Sequence, residues 1–370
     1  MTTWRTIYLI KYKNYKMKVI HIESGLGNQM LSFCEYLAIK KMNPGETVYI
    51  ENIVFDIPEC NAVVNQWNGY ELNRIFGIDV PNIRDYFDDK QWNSIIEEIC
   101  KREFWNHKWN YGVHITDAFR HAGLNLVNTC QDKEAQGVPS SIPPQHPTLK
   151  QRLITYAWHN FLPLTYFHEY VARKRGKRIL QNANYDFLFC KSDDDMYIGQ
   201  RLDFKRKNSG IERIEEEIKR SFVFPPMDNA QDIEALRQIQ NCNAVAIHAR
   251  RGDMLGENYG LYATGYFKRA VNFIRKHTNN PVFYIFTDPG SVVWCKENFK
   301  IFGLDGKKDI VRFVDWNKGK DSFRDMQLMA ACKHQVITNS TFGWWGAYFN
   351  LNPNKITCSP FAYINTTHTF

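Results

Sequence analysis

The C-terminal part of the chain alternates short apolar segments with amphipathic ones, and this alternation limits the possible folds more than any other feature. The apolar segments predict strands at residues 244–248, 282–286, 311–314, 335–338 and 355–358. The amphipathic segments predict helices at residues 232–239, 267–276, 291–299, 321–332 and 342–350. Alternating strands and helices form a parallel sheet covered on both faces, and such sheets bind ligands at the carboxyl ends of their strands.

A second strand–loop–helix unit is predicted near the N-terminus. Residues 18–23 read as a buried strand, residues 24–28 as a tight loop, and residues 29–41 as a helix with one apolar face. Residues 81–220 show no comparable regularity. The sequence therefore predicts an α/β fold whose two regular parts are separated by a long irregular region.

The composition fits a two-domain protein. The chain has 370 residues, of which 44% are hydrophobic, so it can build two cores. Pro225-Pro226 marks the expected boundary, with one domain over residues 17–226 and the other over residues 227–360. Residues 1–16 show no pattern, and we expect them to be dispensable.

Charge and cysteine content restrict the location and the partners. No apolar run approaches the roughly 18 residues of a membrane span, and the N-terminus lacks the apolar core of a signal peptide. The nine cysteines are scattered and include no C-x-x-C pair, which is typical of a reducing compartment. A net charge of +8 without a concentrated basic stripe predicts no nucleic-acid partner. We expect a cytoplasmic protein with at most peripheral contact with the inner membrane face.

Three loops that follow predicted strands carry the candidate functional residues. In the first, residues 25–29, Gly25 and Gly27 let the backbone approach a ligand beside a helix N-terminus. This is half of a dinucleotide-binding fingerprint, and a plain strand–helix turn explains it equally well.

The second loop, residues 248–253, reads His-Ala-Arg-Arg-Gly-Asp. The side chains of Arg250 and Arg251 diverge, so that one can face a ligand while the other pairs with Asp253. A guanidinium matches the oxygens of a phosphate group, and the alternative is a structural ion-pair cluster. His248 taken alone is more often a hydrogen-bonded core residue than a catalyst.

The third loop, residues 338–346, places small hydroxyl side chains at a helix N-terminus and so predicts an anion site. No lysine follows in the Walker pattern, which argues against an ATPase. Asp288 ends another predicted strand, where it either contacts a ligand or starts a Pro-Gly turn. The acidic run Asp193-Asp194-Asp195 lies in irregular sequence and reads as a solvated turn more readily than as a metal site.

These motifs together resemble the bacterial α-1,2-fucosyltransferases of glycosyltransferase family 11. The resemblance rests on residues 25–29, 248–253 and 325–350, of which the last segment is the most specific. It is poor between residues 81 and 220. It implies a GT-B-like fold, in which two Rossmann-like α/β domains face each other across a cleft. The first domain would be the acceptor side and the second would bind GDP-fucose.

The resemblance also implies a reaction. L-Fucose would pass with inversion from GDP-β-L-fucose to a hydroxyl of an oligosaccharide or glycan, most simply O2 of galactose. The implied catalytic residues are Arg250, which would grip the β-phosphate, Asp253, and Asn28, which would face the reaction centre. The implied donor-binding residues are His248, Arg251, Asp288, Asn339, Ser340, Thr341, Phe342, Gly25, Gly27 and Gln29.

The sequence leaves the catalytic base and the glycosidic linkage undecided. Either Asp253 or Glu23 could accept the proton of the attacking hydroxyl. Arg250 and a helix N-terminus can stabilise the leaving diphosphate, so we expect no metal and no cofactor. Residues 197–201 and the long middle region depart from the family pattern. Transfer with another linkage, α-1,6 or O-fucosyl, is the alternative within enzymes. A carbohydrate- or nucleotide-sugar-binding protein without turnover is the alternative outside them.

Overall fold

The computed structural model describes residues 16–64, 67–130, 186–199, 209–263, 265–360 and 367–369, together with isolated positions between 132 and 170. Only isolated positions of the predicted helical piece near residues 153–175 are described, and the leader up to residue 15 lies outside the described residues. The described residues fall into two compact units, and the chain passes finally from the first to the second between Val223 and Phe224. The expected boundary at Pro226 lies just beyond that point, and the roles given to the two domains stay predictions.

The first unit contains a parallel sheet of four strands in the order β2-β1-β4-β3. The strands are β1 (Lys18–His21), β2 (Val48–Glu51), β3 (Val127–Asn128) and β4 (Met196–Ile198). The sequence analysis missed β3 and β4, which lie in the region read as irregular. They are short strands, and β4 pairs with β1 over only three residues.

The buried Lys18 connects β1 to the acidic run. Its Nζ donates hydrogen bonds to the backbone oxygens of Ser192 and Asp194 at 3.0 and 2.8 Å and pairs with Glu46 at 3.0 Å. Oδ1 of Asp195 accepts a hydrogen bond from the backbone N–H of Met17 at 2.6 Å. The acidic run thus anchors the start of β1. Within the described residues, no group of three His, Cys, Asp or Glu side chains is arranged to hold a metal ion.

The second unit contains a parallel sheet of six strands in the order β10-β9-β8-β5-β6-β7. The strands are β5 (Asn243–Ala249), β6 (Pro281–Thr287), β7 (Ile310–Val314), β8 (His334–Val336), β9 (Thr357–Ser359) and β10 (His368–Thr369). When these six strands are renumbered from one, their order is the 3-2-1-4-5-6 order of a dinucleotide-binding fold. The strand order reverses between β5 and β8, and crevices at such a point bind ligands.

The helices of the first unit begin with α1 (Leu26–Met42), which starts three residues before the predicted Gln29. The others described there are α2 (Asn61–Val64), α3 (Leu72–Phe76), α4 (Asp89–Arg102), α5 (Tyr111–His121) and α6 (Glu215–Ser221). Helix α4 begins with a capping box in which the Asp88 side chain accepts from the N–H of Gln91.

The helices of the second unit alternate with its strands. They are α7 (Ala230–Gln240), α8 (Leu255–Ala263), α9 (Tyr266–His277), α10 (Val292–Glu297), α11 (Phe299–Phe302), α12 (Phe323–Ala331) and α13 (Thr341–Tyr348). The prediction of a single helix at residues 291–299 was wrong, since two short helices occupy residues 292–302. Helix α8 was missed.

The prediction of an α/β chain with two Rossmann-like units is confirmed, because each unit contains a parallel sheet joined by helical crossovers. The expectation that the two domains face each other across a cleft stays a prediction. In the part of the chain that the structure describes, no helix combines the length and apolar character that crossing a membrane requires.

Helix α13 approaches α12 closely because Gly346 has no side chain. A Cβ atom at Gly346 would lie 2.4 Å from Cε and 3.0 Å from Cβ of Met329. We expect Gly346→Ala to lower the free energy of unfolding by about 1–3 kcal/mol through overpacking, measured by urea denaturation. Gly256→Ala is the control. Gly256 lies in helix α8, and a Cβ atom there would meet no other atom within 4 Å. Equal effects of the two substitutions would contradict this account of the α12–α13 contact.

Candidate functional site

Three loops of the second unit meet at the carboxyl edge of its sheet. Arg250 directly follows β5, Asp288 directly follows β6, and Thr338 lies two residues beyond β8. Because β5 lies between β6 and β8, the loops adjoin the point where the strand order reverses. The sequence analysis placed its candidates at the ends of strands, and the sheet order brings these three together.

Two carboxylates hold the side chain of Arg250. Its Nη1 lies 2.7 Å from Oδ1 of Asp288, and its Nη2 lies 2.8 Å from Oδ1 of Asp253. The side chain remains 35% exposed. The guanidinium is therefore fixed in direction and still accessible to a ligand.

Asp288 shapes the loop that carries Arg250. Its Oδ2 accepts hydrogen bonds from the backbone N–H groups of Arg251 and Gly252 at 2.6 and 2.9 Å. A Cβ atom at Gly252 would lie 3.2 Å from the Asp288 carboxylate, so a glycine permits this close approach. Asp288 thus organises the turn after β5. The sequence analysis considered a ligand contact or the start of a Pro-Gly turn for this residue and did not include this role.

Arg251 stacks on aromatic rings. Its Cζ lies 3.3 Å from the ring centre of Trp294 and 5.1 Å from that of Tyr262. A guanidinium over an aromatic face is stabilised by the ring quadrupole and by stacking. The expectation that one arginine pairs with Asp253 while the other faces a ligand needs correction. Arg250 is the arginine that pairs with Asp253, and Arg251 packs on Trp294 and Tyr262.

His248 is a buried supporting residue. Burial, and to a lesser degree the charge of Arg250, lowers the pKa of its imidazole to about 3, so the ring is neutral. A Cβ atom at Gly343 would lie 2.5 Å from His248 Nδ1, so the first turn of α13 packs directly on the ring. Thr338 Oγ1 lies 3.4 Å from the same nitrogen, and the Phe342 ring lies 5.9 Å from the imidazole. His248 sets the position of the helix start.

The start of α13 is the candidate anion site of the third loop. Ser340 is the N-cap residue, and its side chain makes no capping hydrogen bond. Ser340, Thr341 and Phe342 are partly exposed. The first N–H groups of a helix have no partner within the helix and favour an anion. Asn339 contributes its backbone N–H to Asn258 instead, at 3.1 Å.

Three residues of this site escaped the sequence analysis. Tyr262 donates a hydrogen bond from its hydroxyl to the backbone oxygen of Arg250 at 3.0 Å, and Asn258 Nδ2 donates to the same oxygen at 3.2 Å. The guanidinium of Arg251 stacks on the ring of Trp294. Asn258 and Tyr262 belong to α8, whose apolar periodicity is too weak to predict a helix.

The candidate residues of the first unit lie at the end of β1. Gly25 is the N-cap residue of α1, and Gly27, Asn28 and Gln29 lie in its first turns. Asn28 Nδ2 donates to Oγ of Ser24 at 2.8 Å. Helix α1 begins earlier than predicted, so the glycines cap and start a helix rather than line an extended loop.

The amide of Gln29 is engaged within the protein. Its Nε2 donates to the backbone oxygens of Ser24 and Gly69 at 2.7 and 2.8 Å, and its Oε1 accepts from the N–H of Glu71 at 2.9 Å. The side chain is buried. These bonds connect the loop after β1 to residues 69–71, so the contact of Gln29 with a donor stays a prediction.

Below this loop lies a buried charged cluster. His21 Nδ1 contacts Oε1 of Glu51 in a short hydrogen bond, and Oε1 also accepts from the hydroxyl of Tyr197 at 2.5 Å. The imidazole stacks on the ring of Tyr111 with a centroid distance of 3.9 Å. Its Nε2 lies 3.8 Å from Glu23, whose side chain is only 3% exposed. Burial by itself would lower the pKa of His21, but Glu51 and Glu23 together raise it to about 9.

This cluster predicts a loss of stability at alkaline pH. The pKa of His21 rises from 6.5 in the unfolded chain to about 9 in the folded chain, so its contribution is complete below pH 6.5 and lost as the pH rises through about 9. We expect wild type to lose about 3 kcal/mol more unfolding free energy than His21→Gln over that interval. Urea denaturation at a series of pH values measures this difference, and parallel curves for the two proteins would contradict it.

Comparison with known proteins finds similarity in the second unit. Residues 228–368 match the family model Glycosyl transferase family 11. An alpha-1,2-colitosyltransferase of Escherichia coli is 32% identical over 145 residues, which are 37% of this chain and 47% of the relative. The O-antigen biosynthesis glycosyltransferase WbnK of Escherichia coli is 26% identical over 208 residues, 54% of this chain and 61% of the relative.

A galactoside alpha-(1,2)-fucosyltransferase 1 of Saimiri sciureus is 32% identical over 109 residues, 28% of each chain. The chain thus spans between 28% and 61% of the length of these relatives. Among solved structures, the fucosyltransferase NodZ from Bradyrhizobium aligns over 90% of this chain and 92% of its own, with 12% identity and a TM-score of 0.41. A TM-score that low carries no argument. The match over residues 228–368 does, and it shows that the second unit is similar to glycosyltransferase family 11.

Proposed function

We propose that the protein transfers L-fucose from GDP-β-L-fucose to a glycan hydroxyl with inversion, O2 of galactose being the acceptor position. The observation that supports this most directly is the presentation of Arg250 beside the start of α13, inside the segment that matches family 11. Two similar proteins, the colitosyltransferase and the fucosyltransferase named above, carry a 1,2-linkage in their names. The substrates of this chain remain a proposal.

In the proposed reaction the acceptor oxygen forms a bond to C1 of fucose as the bond from C1 to the β-phosphate oxygen breaks. GDP leaves with the bonding electrons, and its diphosphate gains charge in the transition state. Arg250 and the N–H groups at the start of α13 would stabilise that charge without a metal ion. Asp253 and Asp288 hold the guanidinium in place before the donor arrives.

The proton of the attacking hydroxyl passes to a carboxylate in this proposal. Asp253 is paired with Arg250 at 2.8 Å, so its charge is already engaged with the group that would bind the leaving phosphate. Glu23 lies in the other unit, beside the His21 cation, at the end of β1. Both carboxylates stay candidates for the base, since Glu23 is also engaged with a cation.

The Arg250 role predicts a defect in the chemical step. Arg250→Ala should lower kcat on the order of 10²–10³-fold, with a smaller rise in the donor KM, because the stabilised charge develops in the transition state. Arg250→Lys should rescue little, since it keeps the charge and loses the planar fork. Steady-state kinetics with GDP-fucose and oligosaccharide acceptors in the presence of EDTA provides the measurement.

A matched control is Arg275, which pairs with Asp309 at 2.7 Å on the opposite, amino edge of the same sheet. Arg275→Ala should leave kcat within about twofold of wild type. A folded Arg250→Ala enzyme with wild-type kcat would refute the proposed role. Activity that disappears in EDTA and returns with Mg²⁺ or Mn²⁺ would refute the metal-independent mechanism.

The two candidate bases are separated by isosteric amides. If Glu23 is the base, Glu23→Gln should lower kcat roughly 10²–10⁴-fold while donor binding is kept. Asp253→Asn should instead weaken donor binding, because it loosens Arg250. Calorimetric titration with GDP and turnover with GDP-fucose distinguish the two. The reverse pattern would assign the base to Asp253.

A further inference from the structure

Asn258 lies between the two loops of the second unit that the proposed function uses. It occupies the first turn of α8 and is fully buried. Its Nδ2 donates to the backbone oxygen of Arg250 at 3.2 Å, and its Oδ1 accepts from the backbone N–H of Asn339 at 3.1 Å. One side chain therefore bridges the loop after β5 and the loop that leads into α13.

The chemistry of the bridge requires a side chain that can donate and accept a hydrogen bond at once, as the amide of Asn258 does. A backbone carbonyl only accepts hydrogen bonds and a backbone N–H only donates them, so the bridging side chain needs a donor and an acceptor at the same time. The carboxylate of aspartate lacks the donor, and leucine lacks both. The two partners also settle the orientation of the Asn258 amide, since the reversed amide would oppose like groups on both sides.

Other contacts turn this bridge into a clamp on the Arg250 backbone. The N–H of Arg250 donates to Oγ1 of Thr338 at 3.3 Å, and the hydroxyl of Tyr262 fills the second acceptor site of its carbonyl oxygen at 3.0 Å. Arg250 is thus held from the β8 side at its N–H and from α8 at its oxygen. Among the side chains of this clamp, Asn258 contacts the backbone on both sides of the crevice.

We propose that Asn258 is a positioning residue that sets the separation between the Arg250 loop and the start of α13, so that both contact one diphosphate group. This inference rests on the proposed function, since it takes the diphosphate of a nucleoside-diphosphate sugar as the ligand. Asn258 itself does not touch the reacting atoms. A displacement of about 1 Å between two such groups costs a large part of their joint effect on binding and on rate.

Two variants and two probes test the inference. We expect Asn258→Ala to weaken the binding of both GDP and inorganic pyrophosphate roughly ten- to a hundred-fold, measured by calorimetry. Pyrophosphate lacks guanosine and fucose, so it reports on the two anion-binding loops alone. With GDP-fucose, kcat should fall as well as the donor affinity, because the misplaced arginine also stabilises the transition state less.

Asn350 provides the matched control. It is a buried asparagine of the same unit whose Nδ2 donates to the backbone oxygens of Cys332 and Lys333 at 2.9 and 3.2 Å. Its Oδ1 accepts from the N–H of Asn352 at 2.8 Å. Asn350→Ala removes the same kinds of bonds beyond the other end of α13. It should lower the melting temperature and leave the affinity for GDP within about twofold of wild type.

The Asn258→Asp variant gives a signature that a merely structural role would not produce. As a carboxylate this side chain has no donor and repels an anion, whereas the protonated carboxyl group can donate to the Arg250 oxygen and accept from Asn339. Burial favours the protonated form, so lowering the pH from about 8 to about 5.5 should restore affinity relative to wild type at each pH. Asn258→Ala should show no such recovery.

The outcomes separate the two proposals. If wild type binds neither GDP nor pyrophosphate, the proposed function is wrong and the inference is wrong with it. If wild type binds GDP and a folded Asn258→Ala or Asn258→Asp variant binds it as tightly at every pH, only the inference is overturned. If both variants fail to fold, kinetics and GDP binding with Tyr262→Phe, which removes one clamp bond, should still show a smaller loss, and wild-type behaviour there would also overturn it.

Discussion

The candidate site depends on the interactions of the Asp288 carboxylate. One of its oxygens accepts two backbone N–H groups of the loop after β5, and the other meets the guanidinium of Arg250. A carboxylate that accepts backbone hydrogen bonds and pairs with a cation is held in one orientation, because each bond restricts a different direction. The loop and the arginine are consequently ordered by the same residue. Its side chain is only 12% exposed, so water competes little for these bonds.

Around this carboxylate, packing and stacking contacts also position the loops. His248 is neutral beneath the start of α13, and the guanidinium of Arg251 stacks on the ring of Trp294. The Arg250 cation stays 35% exposed and is offset by two carboxylates. A cation balanced in this way can exchange part of its pairing for a phosphate oxygen without leaving a buried charge unpaired.

The first unit contains two buried glutamates whose charges are balanced by a histidine. Two glutamates, Glu23 and Glu51, lie at or near the carboxyl ends of β1 and β2, where like charges would repel in a buried setting. His21 separates them as a cation, and the hydroxyl of Tyr197 supplies a further hydrogen bond to Glu51. Tyr197 belongs to β4, a strand that enters the sheet from the region of irregular sequence. That region thus contributes directly to the cluster of His21 and Glu51.

The sequence by itself determined the class of fold and the location of the candidates. The strand–helix alternation after residue 231 and the polar residues at the ends of strands follow from local periodicity, which is written in neighbouring residues. Only the tertiary structure decided which partner each side chain takes. The pairing of Arg250 with both Asp253 and Asp288, the stacking of Arg251 and the bridge made by Asn258 join residues from different loops. Such contacts depend on the order of strands in the sheet, and that order leaves no periodic signal along the chain.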